Sequence, residues 1–535
     1  MDVARRQDSG SAPLTTAACT AFARRRSALA CLALAGGLLA TAAGAQTPPL
    51  APASQGVFGA LDHGLRPTTL AADAPLPGWS LRERMAFHHV PGVAIAVIRD
   101  GQVVQASGFG LREAGSNDAV DADTMFSVGS VSKVVTAATT LRQVAAGKLD
   151  LDRDVNSYLR SWKVPDAPAF SQDTLTLRML MSHTSGLTVW GFEDYLPGAK
   201  LPTIVQTLDG VAPAKNDPVR IDFEPGSRMR YSGGGVTVEQ LVLEDTTRKP
   251  LEAIARGAVF APLAMRRSSY LNPLPATLGN IAKAHDKDGN LTALPRGWEA
   301  FPEQAASGLW TSANDLGAFV GALLRSYRGQ DDFLPQSLAQ QMMSEVSPSI
   351  HGLGPRLEGE GQTRIFHHGG SNDSYRAWIE GYLETGDGLV ILTNGSNGSK
   401  LMMEIRNALS DALGRGVNPP LRTLALPPAA VSGFAGSYRL DTTVPKDLAG
   451  NLSGAFESDV LDVAVSDASV SVQDKGSPPM KLQALTPTRF IGPGDISQMR
   501  FEFVRDARGE VHSLMVARGN AQAWFRREPA QAATQ

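Results

Sequence analysis

The run "VPGVAIAVIRDGQVVQASGFG" (residues 90–110) holds two β-rich stretches, Val93–Ile98 and Gln102–Gly108, on either side of Asp100-Gly101. Asp-Gly between apolar runs is among the stronger short-range hairpin signals, because both central positions of such a turn need positive φ. Two further strands, Arg376–Leu383 and Leu389–Thr393, lie far downstream around Thr385-Gly386-Asp387-Gly388, and an amphipathic helix over Lys400–Leu413 stops at Gly414. Between these ends, short helical patterns alternate with Pro- and Gly-rich loops, and no repeat is apparent. Strands bracketing a helical middle predict an α/β or α+β domain whose two ends meet in one sheet.

The chain of 535 residues exceeds one typical core, and roughly 150 residues per domain suggests two or three domains. Apolar content of 43% and charged content of 19% are ordinary for a globular protein, and a net charge of −3 leaves no basic footprint for nucleic acid.

At the N-terminus, Arg24-Arg25-Arg26 precedes the apolar run "SALACLALAGGLLATAAGA", which closes on Ala43-Gly44-Ala45 before Gln46. This reads as a signal peptide over residues 1–45, so the expected location is periplasmic or secreted, with membrane contact only in transit. A transmembrane anchor is the competing reading, but Gly, Ala and Thr dilute the run and no charged stop-transfer flank follows. The arginines alone do not decide between export routes. Both cysteines, Cys19 and Cys31, would leave with the signal, and the mature chain would have neither disulfides nor a thiolate site.

A Pro- and Ala-rich leader (46–75) then introduces the main region, 76–415. A linker over 416–430, within "GRGVNPPLRTLALPPAA", separates it from a stretch at 431–530 where alternation dominates: "VLDVAVSDASVSVQ" at 460–473, "MRFEFVRD" at 499–506 and "VHSLMVAR" at 511–518. Short strands at this spacing predict a small antiparallel barrel or sandwich.

Within the main region, Val131, Val134, Val135, Ala138, Leu141 and Val144 recur at helical spacing from Ser130 to about Ala146. Ser130 and Lys133 are its only Ser-x-x-Lys pair, and on a helix Lys133 would stand about one turn above Ser130 on the same face. Taken alone, the pair also describes a capping serine and a solvated lysine. The valines beside it and the apolar "MFSVGS" before it instead suggest a buried helix start, where a lysine becomes a usable base and free backbone N–H groups can hold an oxyanion. A second element, "FEPGSRMRYSGGG", sets Tyr231 before Ser232 and three glycines, whose lack of bulk would let a ligand approach the hydroxyl. The third, "FHHGGSNDSYRAWIEGY", carries His367 and His368; neighbours in an extended segment point to opposite sides, which argues against a two-histidine metal site.

Together these elements resemble the serine β-lactamase and penicillin-binding-protein superfamily, nearest its class C β-lactamase-like branch of esterases, D-aminopeptidases and D-alanyl-D-alanine carboxypeptidases. The correspondence is Ser-x-x-Lys at Ser130 and Lys133, a Tyr-x-Asn-like element at Tyr231, and a Lys-Thr-Gly-like element at His368-Gly369-Gly370. "MLMSHTSGL" (179–187), "FEPG" (223–226) and "GLWTSANDLGAFV" (308–320) also look like that branch, over about residues 80–415. The resemblance implies a transpeptidase-like domain, an antiparallel sheet flanked by helices with an all-helical region, and no cofactor or metal. It implies Ser130 as nucleophile, Lys133 with Tyr231 as the acid/base pair, and the N–H groups of Ser130 and Ser371 as oxyanion donors. A free tyrosine ionises about three pKa units above neutrality, a cost of about 4 kcal/mol at pH 7 that a nearby Lys⁺ offsets. Proton sharing among Lys133, Tyr231 and Ser130 is therefore expected.

Two departures bear on substrate. Gly233 stands where the motif has asparagine, and His368 stands where β-lactamases of this type have lysine; an unperturbed imidazole is only about a quarter charged at pH 7. Both weaken a pocket for a carboxylate-bearing β-lactam. The expectation is an exported serine hydrolase of a small ester or amide, with a β-lactamase or penicillin-binding carboxypeptidase as the alternative. A Ser-His-Asp site built on His183 or His368 lacks a Gly-x-Ser-x-Gly elbow at Ser130. A binding or sensing protein that keeps the fold would have no need of Ser130, Lys133 and Tyr231 together.

Overall fold

The computed structural model describes residues 52–170, 174–292, 298, 300–444, 452, 456, 458–475, 477–492, 499–518 and 521–529. The N-terminal apolar run, its proposed cleavage point and both cysteines lie outside them. Among the described residues no helix is long and apolar enough to cross a membrane.

The hairpin forms as expected: strands Gly92–Arg99 and Gln102–Gly110 pair antiparallel, and Asp100 (φ 48°) and Gly101 (φ 72°) make the turn. The first of these strands also pairs with Gly388–Thr393, Val93 opposite Thr393, so the two ends of the region do meet. The full antiparallel sheet runs Gln102–Gly110, Gly92–Arg99, Gly388–Thr393, Arg376–Tyr382, Ile365–Ser371, Arg356–Glu358. Strand Gly92–Arg99 is apolar up to Ile98 because both faces are covered. Ala94, Ala96 and Ile98 face the core shared with the helical middle, while Val93, Ile95 and Val97 face the core under helix Gly398–Leu413.

That helix is tied to the sheet by a buried ion pair. Arg406 Nε meets Glu380 Oε2 at 2.5 Å, the guanidinium lies 4.9 Å over the Trp378 ring, and Glu380 also accepts from Trp378 Nε1 and Tyr382 Oη.

The segments read as leader and linker carry secondary structure and pair with each other. Helix Pro52–His63 buries Val57 and Leu61 in the core beneath helix Gly398–Leu413, and strand Thr69–Ala71 runs parallel to Leu421–Thr423. Arg66, buried, reaches Asp411 and the Asn418 carbonyl. Polarity hid this order: the strands are three residues long, below any periodicity.

Among the described residues the C-terminal region holds one antiparallel sheet of nine strands, from Gly436–Leu440 to Ala521–Arg527. Its edge strands, Met480–Lys481 and Gln483–Ala484, are separated only by Leu482, so the sheet curls until its edges almost meet in a barrel. The alternating run at 460–473 is two strands, Val460–Ser466 and Ser469–Asp474, turned at Asp467 (φ 53°). Phe434 stacks on Phe503 at 4.0 Å between ring centroids inside this barrel.

Removing one partner of a buried ion pair strands the other. Arg406→Ala should therefore lower unfolding stability by about 3–5 kcal/mol, read from chemical denaturation.

Candidate active site

The helix expected from Ser130 starts two residues later. Gly129–Val131 is a 3₁₀ turn, and the α-helix spans Ser132–Ala145. Gly129 holds φ 47°, and Ser132 Oγ donates to its carbonyl at 2.6 Å while accepting from Leu309 N at 3.0 Å, so the turn is pinned on both sides. This sets Ser130 at the rim and Lys133 inside, 4% exposed. Lys133 Nζ donates to Ser130 Oγ at 3.1 Å and to the Ala306 carbonyl at 2.7 Å. Among the described residues no carboxylate pairs with it.

Strand Ile365–Ser371 closes against this turn. A Cβ on Gly370 would stand 1.8 Å from the Val128 carbonyl oxygen and 3.3 Å from Ser130 N, and one on Gly129 would stand 2.8 Å from Ser371 N. Only two glycines permit the approach, and it lays the backbone of Gly370 and Ser371 against that of Val128 to Ser130. Beyond the strand, Asn372 Nδ2 donates to Ser127 Oγ at 2.8 Å, fixing the following loop to the segment before Ser130.

Tyr231 precedes the N-cap Ser232 of helix Gly233–Thr247, whose Oγ accepts from Gly235 N at 2.8 Å. The Lys133 ammonium lies 4.9 Å over the Tyr231 ring, a cation–π contact; among the described residues no hydrogen bond joins Lys133 to the hydroxyl. The three glycines admit protein, not ligand. A Cβ at Gly234 would be 2.6 Å from the Thr188 carbonyl oxygen, and one at Gly233 would be 2.9 Å from Phe192 Cε2.

Three histidines surround the tyrosine. Ring centroids of His183, His351 and His368 lie 4.3, 6.0 and 6.2 Å from that of Tyr231. Their partners fix the tautomers. His368 Nδ1–H donates to the Gly369 carbonyl, His351 Nδ1–H donates to the Gly354 carbonyl and its Nε2 accepts from Arg356, and His183 Nδ1 accepts from Ser232 N. Burial first, then neighbouring positive groups, pushes all three well below the usual imidazole range; for His368 the neighbours are Arg356 and Lys133. His368 is thus neutral at pH 7, not the partly charged ring expected from an unperturbed imidazole. His183 and His368 have no carboxylate partner among the described residues, which removes the Ser-His-Asp arrangement. His367 turns away and stacks on Trp378 at 4.9 Å, as the alternation of an extended strand requires.

Ser130, Lys133, Tyr231, Gly233, His368, Gly369, Gly370 and Ser371 all line one open cleft of about 1500 Å³. Sequence reasoning missed others that line it, among them Trp190, Phe192, Arg356 and Arg518. Trp190 and Phe192 come from a loop, Arg356 from a three-residue edge strand, and Arg518 from barrel strand Val511–Arg518. Arg356 sits opposite His367 in the sheet, a register no local signal announces. Among the described residues no cluster of His, Cys, Asp or Glu is arranged to hold a metal ion.

The sequence pattern of the Beta-lactamase family matches residues 80–412. The chain belongs to the beta-lactamase family. Its hydrolases are serine hydrolases. Relatives include Esterase EstB of Burkholderia gladioli, 27% identical over 53% of this chain and 75% of its own length. The D-aminopeptidase of Brucella ovis is 25% identical over 68% of each chain. Penicillin-binding protein 4 of Amycolatopsis lactamdurans is 31% identical, over 41% of this chain and 55% of its own. Among solved structures, the octameric penicillin-binding protein homologue from Pyrococcus abyssi matches with a TM-score of 0.53 at 20% identity, over 83% of this chain and 98% of that one. SurE with D-Leu matches with a TM-score of 0.53 at 22% identity, over 84% and 97%. These two establish the fold, barrel included.

The buried histidines make stability fall with acid. In the unfolded chain each ring binds a proton near the ordinary imidazole value of about 6.5, whereas the folded rings resist protonation. The unfolded state then holds more protons below that value, so stability is full above it and is lost as pH falls. A Tm–pH series should bend downward below about pH 6.5, and His351→Asn should lessen the slope.

Proposed function

We propose that the chain is an exported serine hydrolase that forms an acyl-enzyme on Ser130 with an ester or small amide and releases it to water. The observation that carries this is the 3.1 Å contact of Lys133 Nζ with Ser130 Oγ at the cleft, with Tyr231 beneath the ammonium. A lysine without a carboxylate partner is able to exchange a proton with the serine instead of being locked in an ion pair. In the reaction the Lys133–Tyr231 pair enters one proton short, and Ser130 Oγ bonds to the acyl carbon as its proton passes to whichever of Tyr231 Oη or Lys133 Nζ holds the free lone pair. The carbonyl oxygen takes up negative charge facing the N–H groups of Ser130 and Ser371. Collapse breaks the ester or amide bond, and the leaving alcohol or amine takes a proton by way of Lys133 or Tyr231. Water then repeats the sequence on the acyl-enzyme, giving the acid and restoring the Ser130 hydroxyl.

An ester comes first because neutral His368 offers no charge to a carboxylate, and an esterase is among the relatives. A D-amino-acid peptide or a β-lactam is the second reading. It draws on Arg518, which brings a cation from the barrel to the cleft, and on the D-aminopeptidase relative.

Short-chain nitrophenyl esters, D-amino-acid anilides and a chromogenic cephalosporin should separate these readings. Ester turnover is expected to exceed cephalosporin turnover, and Ser130→Ala to lose at least about 10⁴-fold in kcat. No labelling of the wild type by an ester-type phosphonate between pH 6 and 9 would sink the acyl-enzyme. If the second reading holds instead, the carboxylate-bearing substrates lead, and Arg518→Ala lowers their kcat/KM about tenfold more than that of a neutral ester.

Export rests on the arginines and apolar run before Gln46. N-terminal sequencing of the protein from the cell exterior or periplasm should begin at Gln46; retention of the apolar run would overturn cleavage.

A further inference from the structure

Gly233 opens its helix two residues after Tyr231 and lines the cleft, yet a side chain there has nowhere to go. Its Cβ would stand 2.9 Å from Phe192 Cε2 and 3.2 Å from the Trp190 carbonyl oxygen. The Phe192 ring has taken the space that a polar residue at 233 would use.

The loop carrying that ring is fixed. Carbonyls of Thr188, Val189 and Trp190 accept in turn from Ser232 Oγ (2.8 Å), Gly234 N (3.0 Å) and Gly233 N (3.2 Å), all at the start of the helix that follows Tyr231. Val189 holds φ 65°, a conformation a β-branched residue keeps only where its surroundings over-determine it. The outcome is an apolar wall. Trp190, 74% exposed, lies 5.8 Å from Tyr231 between ring centroids, and Leu196, 63% exposed, lines the same cleft. Large exposed apolar side chains gathered at a concave site are a binding surface. Next to them Glu193, paired with Lys215 at 3.6 Å, and Asp194 also line the cleft, so this side carries no net positive charge to draw an anionic group.

We propose that Phe192 makes the Tyr231 side of the cleft an apolar slot that receives the acyl chain, so that the group transferred to Ser130 is an uncharged aliphatic or aryl acyl chain without an amide beside its carbonyl. This rests on the acyl-enzyme reading above. Phe192 acts as a specificity residue, and Gly233 is the vacancy that lets it stand there.

The test is kcat/KM for the nitrophenyl esters of acetate, butyrate, phenylacetate and N-acetylglycine, with the wild type, Phe192→Ala, Phe192→Leu, Trp190→Ala and Ser130→Ala. The wild type should prefer butyrate to acetate by about tenfold, as two buried methylenes allow, and phenylacetate to N-acetylglycinate. Phe192→Ala should bring the butyrate-to-acetate ratio to near one, and Phe192→Leu should restore most of it. A ratio is read because a loss of fold or of chemistry lowers all four esters together. If Phe192→Ala does not fold, Trp190→Ala, at an exposed position, should still lower the ratio severalfold. Acetate turnover that depends on Ser130, with no preference for butyrate or with a ratio unmoved by these variants, overturns the slot and leaves the hydrolase reading intact. Absence of Ser130-dependent turnover of every ester overturns both.

Discussion

The cleft depends on one close approach of backbone to backbone. Strand Ile365–Ser371 lies so near the turn at Ser130 that a single methyl group at Gly370 would occupy the Val128 carbonyl oxygen, and one at Gly129 would press on Ser371 N. No side chain mediates the contact, so its geometry is set by covalent dimensions and not by rotamers. The strand is held from behind by its sheet neighbours, and the turn by Ser132 and Leu309. Two stretches of backbone far apart in the chain, 128–130 and 370–371, are thereby held against each other. An oxyanion site needs just this kind of preorganisation, since donors that must reorganise during the reaction lose most of their value.

Charge is arranged around that contact by exclusion. Lys133 is buried against a carbonyl and a hydroxyl, and the groups near it that could have carried charge, the rings of His183 and His368, are kept neutral by burial and by Lys133 and Arg356 themselves. Had either ring carried a proton, it would repel the ammonium across a few ångströms of low dielectric. Had a carboxylate stood there, Lys133 would be spent in an ion pair. Neutral imidazoles fill the space with polar, hydrogen-bonded matter that leaves the lysine and tyrosine facing each other and the cleft.

The elements legible in the sequence were those whose signals are local. Asp100-Gly101 announced its hairpin through turn chemistry, Gly414 ended its helix in the left-handed conformation, and Ser130 and Lys133 declared themselves by spacing. The spacing survived even though Ser130 sits in a 3₁₀ turn, because three residues on either helix type leave the two side chains on nearby faces. What was not legible depends on contacts remote in sequence. The glycines after Tyr231 suggested access for a ligand, whereas they receive the Thr188–Phe192 loop, which nothing in "SGGG" specifies. The His368 protonation state depends first on burial and then on Arg356 in a three-residue strand, and Arg518 belongs to a region whose sequence carries no chemical motif at all.

The position of Arg518 follows from how the barrel is attached. The linker is held by strand Leu421–Thr423 against Thr69–Ala71, Thr69 Oγ1 donates to Gln483 Oε1, and Leu424 N donates to the Ala484 carbonyl, so the barrel edge is stitched to the leader strand as well as to the chain. An arginine on a freely tethered domain would spend most of its time away from the cleft, and ordering it on each encounter would cost the entropy of the tether. Stitched in place, Arg518 belongs to the cleft wall before any substrate arrives. The two sides of the cleft thus come from different parts of the chain. The Phe192 loop of the helical middle shapes one side, and a strand end of the barrel shapes the other.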